Sequence, residues 1–174
     1  RLGAELKQPE WSALALINAP DIVRRVHQEF IAAGSEVVTT NSYALVPFHI
    51  GEDRFRKEGP ALIRLAGRLA REAADAVTDR KVLVAGSLPP IFGSYEPQNF
   101  QPSRVQDYLQ VLVENLGPFV DIWLGETLSL MAEAEAVRKA VATSGKPFWI
   151  SFTLADDEAA ISGGEPKLRS GEKV

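Results

Sequence analysis

The chain has no cysteine among its 174 residues. That excludes a disulfide framework and any thiolate metal site built from these residues, and it makes a reducing compartment, the cytoplasm, the expected location. There is no basic surplus either: 19 Lys and Arg stand against 23 Asp and Glu, for a net charge of −4 and a pI near 5.3. Such a chain offers no positive field to a phosphate backbone, and no nucleic-acid partner is expected. No apolar run approaches the roughly 18 residues that span a bilayer, so no membrane partner is expected. The opening Arg1-Leu2-Gly3-Ala4-Glu5 does not read as a signal peptide. Only two histidines are present, His27 and His49, and neither has metal-ligand spacing to the other or to a carboxylate cluster. No Ser-His-Asp set and no phosphate loop can be assembled.

What is present is regular. Asn18-Ala19-Pro20-Asp21 reads as a helix start, with Pro early and an acid in the first turn. Ile22, Val26, Phe30 and Ile31 follow at helical spacing as a predicted buried stripe, and Gly34 sits where a C-terminal cap belongs. Residues 36–43 are a β-branched run that reads as a strand. Beyond a loop with Pro47 and Gly51, residues 59–77 predict a long helix with Leu62, Leu65, Leu69 and Ala73 on one face. The cycle repeats: strand 81–87, a loop at 91–101, helix 102–116, strand 119–127, helix 129–142, strand 148–154. The Ala-Glu alternation at 131–135 reads as a solvated helix face, and His27 as a structural mid-helix residue.

Strands alternating with helices predict βαβ crossovers and a parallel sheet in a single domain, 1–174. Near-continuous apolar strands fit a sheet covered on both faces. Two architectures host this pattern, an open doubly wound sheet and a closed (β/α)₈ barrel. No Gly-rich turn follows the first strand, which weakens a nucleotide-binding or flavodoxin-like open sheet. A barrel typically needs about 250 residues. On the barrel reading, an α/β fold of parallel βα repeats of a TIM-type barrel, the chain holds only about half the units and is incomplete. Residues 155–174 are then a loop leading toward the other half. Open strand edges would favour self-association, so a homo-oligomer is a candidate state.

In either architecture ligands meet the carboxyl ends of the strands. Those ends carry Thr40-Asn41-Ser42-Tyr43, Ser87-Leu88-Pro89-Pro90, Gly125-Glu126-Thr127 and Ser151-Phe152-Thr153. For Ser151 and Thr153 the polarity simply marks the strand leaving the core. Glu126 has two readings of equal weight: a ligand-holding carboxylate at the mouth, or a charge favouring the next helix's N-terminus by about 0.3–1 kcal/mol. Asn41 likewise either bonds a ligand or closes a βα turn. Tyr43 and Tyr95 are most simply packing residues with a wet hydroxyl. His49, in a loop, is uninformative.

Several stretches together resemble the homocysteine S-methyltransferase family. They are Trp11-Ser12-Ala13, Pro20, residues 26–43 with His27, Ala33-Gly34-Ser35 and Thr39-Thr40-Asn41-Ser42-Tyr43, then Ala85-Gly86-Ser87-Leu88-Pro89-Pro90, and Asp121-Ile122-Trp123-Leu124-Gly125-Glu126-Thr127. The resemblance implies a (β/α)₈ barrel that moves a methyl group to the thiol of homocysteine, giving methionine. The donor would be a sulfonium, S-methylmethionine or S-adenosylmethionine, or a betaine-type ammonium. It implies Glu126 holding the homocysteine amino group, with Asn41, Thr40 and Ser87 in the same pocket and Ser94 and Tyr95 on the methyl-donor side. It also implies a zinc ion held by three cysteines of later strands, and no such residue exists here. The family's first strand, with its Asp-Gly-Gly-Met-Gly turn, has no counterpart either, and residues 1–6 are expected to follow it, so the resemblance implies a chain carrying about strands two to five of the barrel. The expectation is thus a small-molecule enzyme whose 174-residue piece is inactive alone. The alternative is a metal-free, non-catalytic binding relative of the same barrel.

Overall fold

The structure, a computed structural model, describes residues 10–156 and 165–174. Two helices lead, α1 (Ser12–Asn18) and α2 (Pro20–Ala32), and then βα units follow: β1 (Val37–Thr39), α3 (Pro47–Ile50), α4 (Glu52–Asp75), β2 (Leu83–Leu88), α5 (Val105–Leu116), β3 (Ile122–Leu128), α6 (Met131–Val141) and β4 (Phe148–Phe152). The four strands form one sheet in the order β1-β2-β3-β4, and every pair is parallel.

That order decides between the two architectures. A doubly wound sheet reverses its strand order at a switch point, which places helices on both faces. Here the order never reverses, so right-handed crossovers set α4, α5 and α6 side by side on one face. The helices do pack in that succession, α4 on α5 and α5 on α6. The result is an arc of a barrel wall, with the hydrophobic core between sheet and helices. Val38, Val84, Trp123 and Leu128 project into that core, and alternation sends Ser87 and Glu126 to the opposite, inner face. Trp123, wholly buried, lies over Gly86, where an added Cβ would come within 2.9 Å of the indole ring. At the far end of β3 from Glu126, Asp121 accepts bonds from the Val84 N–H and from Arg71, each at 2.8 Å. Burial works against that carboxylate, yet the Val84 N–H and the Arg71 guanidinium hold it below its ordinary pKa.

Several local expectations need correction. The strand predicted at 36–43 is confined to Val37–Thr39, because the backbone turns after the Thr40 N–H reaches the Ala85 carbonyl. Helix α4 begins at Glu52 rather than near Gly59 and runs through Pro60. One proline removes a single N–H bond, and the buried Phe55 and Ile63 on either side hold both halves against the core. The buried face of α2 is Val23, His27 and Ile31, four residues apart, while Phe30 is 61% exposed. Ile22, Val26 and Phe30 lie about 100° round the helix from that face, toward the open edge of β1. Glu133 is buried rather than solvated, and its carboxylate accepts the Ser129 N–H at 2.8 Å ahead of α6. Burial raises its pKa. Residues 165–174, expected in a loop, dock back on β4. Leu168 is wholly buried, and Arg169 N–H bonds the Thr153 carbonyl.

Two edges are open among the described residues. β1 pairs only with β2 and β4 only with β3, and β4 leaves Trp149 49% and Ile150 41% exposed. No described helix is long and apolar enough to cross a membrane.

Candidate functional site

Alternation along β3 brings Glu126 to the other predicted rim residues, and the strand then breaks its own alternation. Gly125 pairs with Ile150 and Leu128 with Phe152, so β3 holds one residue more than β4 over that interval. This bulge puts Leu128 back into the core and leaves Glu126 and Thr127 both outside it. Thr127 takes φ +61°, a left-handed conformation that is rare for a β-branched residue. Its N–H is tied to the Ser151 hydroxyl at 2.9 Å. Ser151 therefore helps hold the bulge, and Thr153 bonds the Ser129 hydroxyl at 2.7 Å. Strain of this kind persists only where surrounding contacts over-determine it.

Glu126, half-buried, accepts a bond on Oε2 from the Ser87 hydroxyl at 2.6 Å. Ser87 is wholly buried, and its backbone N–H donates to the Thr40 hydroxyl oxygen at 3.0 Å. Thr40 and Ser42 share a hydroxyl contact at 2.8 Å, and the Ser42 hydroxyl donates to the Ser87 carbonyl at 3.0 Å. Asn41 anchors the turn after β1, its amide donating to the Ser12 carbonyl at 3.1 Å. These contacts bring β1, β2 and β3 together at one end.

Glu126, Asn41, Thr40 and Tyr43 line a cavity of about 720 Å³, which extends along the open edge of β1 to Ile22, Val26 and Phe30 on α2. Ser87, Ser94 and Tyr95 are not in its wall. Ser94 reaches it through the Tyr43 hydroxyl at 2.6 Å. Tyr95, with φ +65°, is 52% exposed, and the Arg169 guanidinium stands 5.7 Å from its ring centre. Tyr43 is the residue that sequence reasoning undervalued. Burial raises its pKa, while bonds to Ser94 and Thr127 pull the other way. Its ring lies 6.4 Å from His49, which also packs on Trp11 and Phe48. The only sequence signal for this was its place directly after Thr-Thr-Asn-Ser at a strand end.

The residues present do not fit a zinc-thiolate centre. The sequence has no cysteine, and no group of three or more His, Cys, Asp or Glu among the described residues could hold a metal ion. His27 is a core residue whose pKa burial lowers.

Comparison with known proteins agrees with the fold. A family model described as homocysteine S-methyltransferase matches residues 1–173. The chain is 32% identical to homocysteine S-methyltransferase 1 of Arabidopsis thaliana, over 92% of this chain and 56% of that protein. It is 27% identical to a selenocysteine methyltransferase of Astragalus bisulcatus, over 94% of this chain and 57% of that one. The metallated form of the Escherichia coli homocysteine methyltransferase MmuM superposes with a TM-score of 0.81 at 28% identity, covering 98% of this chain and 62% of that chain. The chain thus spans little more than half the length of the curated relatives it matches.

Proposed function

Because the chain belongs to the homocysteine S-methyltransferase family, we propose that it supplies the amino-acid-binding wall of an enzyme that methylates the thiol of homocysteine. The observation that carries this reading is Glu126. Its carboxylate stands at the wall of a cavity it shares with Asn41 and Tyr43, with one oxygen taken by Ser87. An α-amino acid brings an ammonium group and a carboxylate. Glu126 suits the ammonium through a charge-assisted bond on its remaining oxygen. Asn41 uses one amide hydrogen on Ser12, and its second remains to meet a carboxylate.

We assign the methyl donor to the Tyr43 side, near Ser94 and Tyr95. Sulfonium and quaternary ammonium groups are cations, and aromatic faces attract cations. Tyr95 already receives one, from Arg169. In the reaction the donor's bond to the methyl carbon breaks as the homocysteine sulfur forms its own, and the thiol proton leaves with solvent. Zinc in the whole protein would draw its thiolates from outside these 174 residues. The metal-free binding relative draws no support from the comparisons, since the named relatives are methyltransferases.

The test is methionine formation from homocysteine by the full-length protein, with S-methylmethionine, S-adenosylmethionine and betaine offered in turn. Turnover with one of them is expected. Homocysteine binding without turnover on any of the three would favour the non-catalytic reading.

A further inference from the structure

The hydroxyl contacts behind Glu126 admit only one direction of hydrogen bonding. A carbonyl oxygen only accepts, so the Ser42 hydrogen is spent on the Ser87 carbonyl. The Thr40–Ser42 contact must then be donated by Thr40. Thr40 oxygen in turn accepts the Ser87 N–H. The loop closes on itself: Thr40 O–H to Ser42, Ser42 O–H to the Ser87 carbonyl, Ser87 N–H back to Thr40. One hydrogen is left over, that of the Ser87 hydroxyl, and it goes to Glu126 Oε2 at 2.6 Å.

Thr40 is 3% exposed, and Ser42 and Ser87 are fully covered. Their hydroxyl hydrogens are all committed within the protein. Buried polar groups in a satisfied ring have little freedom to rotate, because each alternative leaves a buried donor unpaired. The ring grips both backbone groups of Ser87 on the β1 side of β2, and the Ser87 side chain alone reaches across to Glu126.

We propose that Thr40 and Ser42 are positioning residues: their closed ring holds the Ser87 backbone, and with it the base from which the Ser87 hydroxyl reaches Glu126, so that Glu126 presents its other oxygen, Oε1, to the ligand's ammonium. The inference rests on the reading of Glu126 as the amine-holding group, and it adds a cause for selectivity toward amino acids. Thr40 sits at the cavity wall, yet its role is to act through Ser87 and Glu126. Ser42 never reaches the ligand.

The test measures binding to the full-length protein of homocysteine and of 4-mercaptobutanoate, which has the same thiol and carboxylate but no amine. Thr40→Val keeps shape and removes both of the hydroxyl's bonds. It is expected to cut the preference for homocysteine about tenfold, the scale of one disrupted buried bond. Thr40→Ser is expected to restore it, and Ser42→Ala, which leaves the Ser87 N–H its acceptor, to cut it by less. If Thr40→Val does not fold, Ser42→Ala carries the same comparison. A general loosening of the rim would weaken both ligands alike, and that result overturns the proposal. Glu126→Gln separates the two levels. If it abolishes the preference while Thr40→Val and Ser42→Ala keep it, the ring has no positioning role and the reading of Glu126 survives. If Glu126→Gln weakens both ligands equally, the reading of Glu126 falls and the ring proposal with it.

Discussion

Gly86 offers a direct check on the packing that carries the rim, through the substitution Gly86→Ala. A methyl group there would lie 2.9 Å from two carbons of the Trp123 ring and 3.1 Å from Val120. Carbon contacts are comfortable at about 3.5–4.0 Å, so β2 and β3 would have to part or the indole would have to leave its rotamer. Overpacking of this kind costs about 1–3 kcal/mol. The upper half of that range fits here, because Trp123 is wholly buried and its indole N–H is tied to the Ser144 hydroxyl at 2.9 Å. Urea unfolding of the full-length protein measures the loss, read as a lower midpoint at constant slope. A double-mutant cycle identifies the partner. Trp123→Leu is destabilising alone, since it empties a filled site, but in that background Gly86→Ala should be nearly neutral or should refill space. Equal losses from Gly86→Ala in both backgrounds would refute the claim that the indole imposes glycine there.

Acid should weaken the fold through His27. Burial lowers its folded pKa below the ordinary 6.5. The unfolded chain therefore takes up a proton first, and stability present above 6.5 is lost as pH falls toward the folded pKa, by at most about 1.4 kcal/mol per pH unit. His27→Gln should flatten that part of a stability–pH curve, and an unchanged slope would contradict the assignment. Tyr43→Phe removes the hydroxyl between Ser94 and Thr127 and should raise KM for the methyl donor several-fold while leaving KM for homocysteine within about twofold, a neutral bond being worth about 1 kcal/mol. A change confined to the homocysteine KM would show that the donor lies elsewhere. The 174-residue polypeptide expressed alone should associate, since among the described residues both sheet edges are unpaired and β4 exposes Trp149 and Ile150. Sedimentation showing a monomer with a cooperative melt would contradict this.

The order of elements was legible in the sequence because apolar period and Gly/Pro punctuation are local signals. The second and third helix–strand cycles, from residue 102 to 152, fall close to where they were read. What periodicity missed depends on neighbours distant along the chain. Phe30 keeps helical spacing with Ile22 and Val26, but α2 buries its next face, Val23, His27 and Ile31, and packs chiefly on α4. Glu133 belongs to an Ala-Glu alternation that spacing assigns to solvent, but the Ser129 N–H, set by the loop ahead of α6, meets its carboxylate. The choice of a barrel arc over an open sheet required strand order, which no spacing reports. The site divides in the same way. Glu126 and Asn41 were visible as polar residues at strand ends. The bulge beside Glu126, the ring of Thr40, Ser42 and Ser87, and the place of the Tyr43 hydroxyl were not, since each needs the register between strands.

The most direct test of the whole account is a crystal structure of the full-length protein with homocysteine bound. The ligand nitrogen should lie about 2.8 Å from a Glu126 oxygen, the length of a charge-assisted bond, with Ser87 still on the other oxygen. A homocysteine nitrogen turned away from Glu126, and held by another acceptor, would contradict it.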